Sequence, residues 1–164
     1  MLTLPLCLVV QATAAERVAV FPFELLDRSQ DDDLYPKVRP DETARLATLT
    51  KDLKDRLTAS GKYEIVGLEN LSGDIEKASP LFKCNGCDAG LAQKSGADIV
   101  MLGLVQKFSD TLLSVSIEVI DGKSGKVTAT YSAGIQGNTE ESWLRAERYI
   151  VKNKLFAVAE GTPQ

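Results

Sequence analysis

The sequence has no histidine in 164 residues. That absence removes Ser-His-Asp and Cys-His catalysis, imidazole metal ligation and the histidine proton shuttle together. Catalysis would have to rest on carboxylates, lysines, tyrosines or thiols, and no spacing of these forms a recognisable constellation. The expectation is a protein that is not an enzyme and holds no metal and no cofactor. A basic surplus is also missing. The formal net charge is -4 and the pI is near 5.0, which argues against nucleic acid as a partner, since that footprint would be basic. Cysteine is scarce, with three residues in all. No apolar run is long enough to span a bilayer.

What is present suits one soluble domain: 44% of residues are hydrophobic and 26% are charged. Leu2 to Val10 are apolar apart from Thr3 and Pro5, and Gln11-Ala12-Thr13-Ala14-Ala15 follows. An apolar core before small residues reads as a secretory leader over residues 1–15 with an A-x-A site at Ala12 to Ala14. Its basic start is missing, so Met1 reads as internal to a longer leader; a buried first strand is the alternative. Cys7 lies in this segment and leaves with it. Residues 16–164 then form a single domain with a periplasmic or secreted destination.

The longest uncharged apolar stretch of that domain, Ile99-Val100-Met101-Leu102-Gly103-Leu104-Val105, does not alternate. A strand with no polar side is covered on both faces or is central in its sheet. Upstream, Arg17 to Glu24 reads as the first strand, with Pro22 at its end or at a bulge because proline cannot donate to a ladder. Asp31, Asp32 and Asp33 stand in a polar loop without the ordered spacing of a calcium site. Pro40-Asp41-Glu42 opens a helix whose Leu46, Leu49, Leu53 and Leu57 make one apolar stripe, with Asp52 and Arg56 paired on the wet side. Ser60-Gly61 ends it, and Lys62 to Val66 is the second strand of a parallel β-α-β unit. The segment from Glu69 to Lys83 is irregular, with a turn of helix about Ile75.

Asp88 to Ser95 reads as a short helix capped by Gly96. After Ile99 to Phe108, a two-residue turn at Ser109-Asp110 leads to two alternating strands joined by a glycine-bearing hairpin at residues 121–126. The last helix opens at Gly137-Asn138, with Asn138 as cap and Glu141 reaching back. The expected fold is α/β (α+β): a mixed sheet of about five strands in the order β-α-β-α-β-β-β-α, with helices packed on it in two or three layers.

Two motifs could carry a function. Cys84 and Cys87 are the only cysteines beyond the leader, and an even count in an exported chain reads as a disulfide, here a local staple. The alternative is a thiol-disulfide exchange site, since a thiol at a helix start has a lowered pKa; two thiols alone make half a zinc site. The second motif is Gly137 to Arg148. Its bland reading is a capped helix with Trp143 in the core. Its functional reading is a protein interface presented by Asn138, Trp143, Arg145 and Arg148, since tryptophan and arginine are favoured at hot spots.

The strand Val18-Ala19-Val20-Phe21-Pro22-Phe23, the turn Ser60-Gly61-Lys62-Tyr63-Glu64-Ile65-Val66, the run Gly96 to Gly103 and the strand Ser114 to Asp121 resemble the amino-terminal domain of TolB. Adding Cys84-Asn85-Gly86-Cys87, Gln106-Lys107-Phe108-Ser109 and Gly137 to Arg145, the chain resembles more closely a family of uncharacterised secreted bacterial proteins, a domain of unknown function. That resemblance implies an accessory or binding module with a periplasmic protein partner, beside periplasmic quinoprotein dehydrogenase systems. It implies no catalytic residues.

Overall fold

The structure, a computed structural model, describes residues 14–29 and 38–159. The leader expected over residues 1–15 lies almost wholly outside the described residues, as do Asp31 to Asp33 and the tail after Ala159. Six strands form one mixed sheet: β1 (Glu16–Val20), β2 (Glu24–Asp27), β3 (Tyr63–Ile65), β4 (Ile99–Lys107), β5 (Leu112–Asp121) and β6 (Val127–Gln136). The helices are α1 (Pro40–Ala59), α2 (Ser72–Ala78), α3 (Cys87–Ser95), α4 (Glu140–Ile150) and α5 (Phe156–Ala159), with a π-turn at Val151–Leu155 joining the last two.

The strand order is β3-β1-β4-β5-β6, with β2 also paired to β4. β4 is thus central. It runs parallel to β1 and β2 and antiparallel to β5, which runs antiparallel to β6. The residue pattern explains its place. Met101 and Val105 point to one core, with Val18, Leu53 and Trp143; Val100 and Leu102 point to the other, with Phe21, Ile75 and Leu91. Helices α1 and α4 cover the first face, α2 and α3 the second, so the domain has three layers. The α1 stripe forms as expected: Leu49, Leu53 and Leu57 are fully buried and Leu46 is half-buried.

Three local readings change. The expected strand from Arg17 to Glu24 is two strands, because Pro22 interrupts the ladder and the Phe23 N–H turns away to the Thr50 hydroxyl of α1 at 2.9 Å. The turn between β4 and β5 spans four residues, 108–111, not two: Lys107 still pairs with Leu113, and the Ser109 hydroxyl accepts the Leu112 N–H at 3.0 Å to close the turn. The break after β1 makes the sheet six-stranded rather than five-stranded. Gly103 has a packing reason: the Phe23 ring lies where a side chain at 103 would stand.

Candidate functional site

Gly137, at a positive φ of 84°, turns the chain out of β6 toward α4. The helix is capped by Thr139, not Asn138. The Ser142 N–H donates to Thr139 Oγ1 at 3.2 Å and the Thr139 N–H donates to Ser142 Oγ at 3.2 Å, a reciprocal box. Asn138 is drawn to α1 instead. Its amide donates to Glu42 Oε1 at 3.0 Å, and its Oδ1 accepts from Arg45 at 2.9 Å. Glu141 stays exposed.

Trp143 is fully buried, and Arg45 stands 5.6 Å from its ring centroid in a cation–π contact. Arg148 reaches across to α1, where its Nη2 donates to Asp52 Oδ1 at 3.0 Å. Asp52 also accepts from Arg56. The pair foreseen between Asp52 and Arg56 is therefore made, at the α1–α4 contact. Glu147 is fully buried beside it, with both carboxyl oxygens lacking a hydrogen-bond partner. Burial, reinforced by the neighbouring Asp52, pushes the Glu147 carboxyl up to about 8. Burial also raises Asp52, but the hydrogen bonds from Arg148 and Arg56 outweigh it and hold that carboxyl at about 2.

Arg145 alone of the four candidate interface residues is exposed without such a role in α1 packing. It lines an open groove of about 640 Å³ between α4 and β6, with Ala133, Gly134, Gln136 and Tyr149. Tyr149 is 50% exposed. Its signal was in the sequence, one helical turn after Arg145, but a lone tyrosine among charges on a helix reads as ordinary surface.

On the other side of the sheet, Cys84 and Cys87 form a disulfide. Asn85 and Gly86 adopt positive φ, 52° and 101°, and Cys87 opens α3. Both sulfur-bearing side chains are half-buried against Ile75, Leu81 and Leu91. The lead-in is a 3-10 turn at Leu81–Lys83, not a strand. Glu24 of β2 fixes that turn: its carboxylate accepts from the Leu81 N–H at 2.8 Å and the Phe82 N–H at 3.3 Å. Between this loop and β2, β4 and β5 lies a second cleft of about 480 Å³, lined by residues that include Phe82, Asp88, Leu104, Gln106 and Glu118.

A third cluster was not visible in the sequence. Lys107, 4% exposed at the end of β4, meets Asp27 at 3.3 Å, Glu42 at 3.2 Å and Asp110 at 3.0 Å. Burial lowers its pKa, but the bonds to Asp110 and Glu42 more than reverse this, so Lys107 stays charged. It ties β2, α1 and the β4–β5 turn together. Among the described residues no group of three or more His, Cys, Asp and Glu could hold a metal ion, and no helix is long and apolar enough to cross a membrane.

No curated protein matches the sequence. Solved structures resemble the fold. The LpoB C-terminal domain from Salmonella enterica is 16% identical over 77% of this chain and 87% of its own, with a TM-score of 0.51. TolB from Acinetobacter baumannii is 14% identical over 93% of this chain, with a TM-score of 0.52, and only 30% of TolB is covered. Lipoprotein GNA1162 from Neisseria meningitidis is 17% identical over 88% of this chain and 96% of its own, at 0.50. These likenesses bear out the TolB-like fold expected from the sequence. The profile of a family described as protein of unknown function (DUF2380) matches residues 16–155, and the chain belongs to that family, DUF3280.

Proposed function

We propose that this protein is an exported, non-enzymatic binding module whose docking surface is the groove between α4 and β6. The observation that carries the reading is that Arg145 and Tyr149 stand exposed along that groove, beside a sheet edge, while Asn138, Trp143 and Arg148 are taken up in packing α4 on α1. Tyrosine and arginine beside an open groove suit a protein partner. The three buried or bonded candidates then act as supports that hold the docking helix in place. Export to the periplasm is inferred from the apolar leader over residues 1–15 and agrees with an intact disulfide. The setting beside quinoprotein dehydrogenase systems rests on sequence resemblance alone.

The test is a photo-crosslinking residue placed at Tyr149 in the native host, against the same residue at Lys123 on the opposite hairpin. A discrete adduct at 149 that disappears with Arg145→Glu supports the surface; equal labelling at both positions refutes it. Arg148→Glu is unsuitable, since it would also break the Asp52 contact.

A second reading keeps one specific observation: the Cys87 sulfur opens α3, where a thiolate would be favoured. It makes the protein a periplasmic thiol-disulfide exchanger. Cys87→Ser or Cys84→Ser trapping a mixed disulfide in the periplasm would support it. A disulfide that resists mild reductant, with no trapped partner, would end it.

A further inference from the structure

The two edges of the sheet are built differently. The edge carrying β3 and β2 is short and charged: β3 has three residues including Glu64, and β2 has four including Glu24 and Asp27. Such features keep strand edges from pairing with other chains. The β6 edge has none of them. Its ten residues, Val127-Thr-Ala-Thr-Tyr-Ser-Ala-Gly-Ile-Gln136, include no charge and no proline. An irregularity between Val119 and Ile120 sets Thr128 out of register, and pairing is regular from Ala129 to Gln136.

The ladder fixes which backbone groups face out. The Gly137 N–H donates to the Thr111 C=O at 3.0 Å, so 111 and 137 are a hydrogen-bonded pair. In an antiparallel ladder such pairs recur every second residue. Ala133 and Ile135 therefore turn their N–H and C=O toward β5, and Ser132, Gly134 and Gln136 turn theirs outward. Of these, Gly134 and Gln136 line the groove that holds Arg145 and Tyr149, and Ser132 is the next outward residue along the same edge.

We propose that the occupant of this edge is a second copy of the chain, paired β6 to β6 antiparallel about Ser132, so that two sheets become one. The proposal rests on the groove being a docking surface and names its partner. Three features fit a copy of the same strand. Pairing about Ser132 sets outward-facing backbone groups opposite one another, Ser132 to Ser132 and Thr130 to Gly134. It sets Tyr131 opposite Ala133 on the face covered by α1 and α4, a large side chain against a small one. An uncharged strand also meets its copy with no like charges opposed. The two-fold axis lies perpendicular to the sheet and runs the two α4 helices antiparallel. The acidic first turn of each, Glu140 and Glu141, then lies toward the basic carboxy end of the other, with Arg148 and Lys152. That is the self-complementarity an isologous contact requires.

The test uses the oxidised chain beginning at Glu16. Its two cysteines are joined to each other, so Ser132→Cys adds the only free thiol. Opposed hydrogen-bonded residues lie about 5.5 Å apart at Cα, within disulfide reach. Ser132→Cys is expected to give a covalent dimer on mild oxidation, and Lys123→Cys is not. By sedimentation velocity the parent chain should show a concentration-dependent dimer. Ser132→Lys should shift it to monomer, and mixing Ser132→Lys with Ser132→Asp should restore the dimer. A parent chain that is monomeric up to its solubility limit overturns the proposal, as does a dimer unaffected by Ser132→Lys. If that monomer still gives a discrete adduct with a different protein at Tyr149, the docking reading stands and only the partner is wrong. If it gives none, both fall.

Discussion

The two faces of the sheet are stabilised by different means. On one, α1 with 20 residues and α4 with 11 lay wide apolar stripes on β1, β4 and β5. Ionic keys fix how these helices sit: Lys107 with Glu42, Arg148 with Asp52, and Asn138 bridging Glu42 and Arg45. On the other, α2 has seven residues and α3 nine. Helices that short are not stable alone and cannot bury much. That face relies on fixed loops instead, through the Cys84–Cys87 disulfide and the Glu24 carboxylate under Leu81 and Phe82. Long helices can afford side-chain locks, and short ones need the backbone itself pinned.

The largest expected effect sharpens this contrast. Trp143→Ala should lower unfolding stability in denaturant by about 3–5 kcal/mol, since a fully buried indole leaves a cavity between α4 and the sheet. Leu91→Ala in the thin layer should cost about 2 kcal/mol, at the low end for buried leucines. Equal losses at the two sites would break the comparison.

A smaller effect is read by pH. The Glu147 carboxyl is raised from 4.5 to about 8, so the native state keeps a proton that the unfolded chain releases. Its stabilisation is complete below pH 4.5 and is lost as pH rises toward 8. Asp52 works the other way: lowered from 3.8 to about 2, it stabilises above pH 3.8, and that contribution is lost as pH falls toward 2. This pair therefore favours a stability maximum near pH 4. Glu147→Gln should flatten the neutral limb of the melting temperature against pH; an unchanged limb would remove Glu147 from the account.

The smallest effect belongs to the disulfide. Closing so short a loop removes little chain entropy, so Cys84→Ser with Cys87→Ser should cost about 1–2 kcal/mol of global stability. Amide exchange should quicken in α3 and residues 81–87 while α1 and α4 stay protected. A loss matching that of Trp143→Ala would show that the thin face governs the whole domain.

Much of the fold was legible in local pattern. The leucine stripe of α1, the non-alternating β4 and the glycine hairpin at 121–126 each follow from neighbours along the chain. The site was legible only in part, because its roles are set by contacts between distant segments. Glu147 looks like a wet residue on a charged helix until α1 covers it. Asn138 stands where a cap is expected, but Glu42 and Arg45, more than ninety positions earlier, claim its side chain. Lys107 ends an apolar run and looks like a solvent-facing terminator, yet three carboxylates enclose it. Arg145 and Arg148 are indistinguishable in sequence, and only the position of Asp52 separates a tether from a surface residue.

The central position of β4 also bears on the order of assembly. Val18 pairs with Ile65 on one side and Ile99 on the other, so the amino-terminal strand is incomplete until residue 99 has arrived. From Ile99 to Leu155, by contrast, the meander and its helix are contiguous in sequence. A chain delivered amino end first thus presents β1, α1 and β3 before the strand that completes them exists. High sequence separation between partners slows folding and prolongs exposure of apolar segments. The earlier half therefore has no complete sheet to join until β4 has been made.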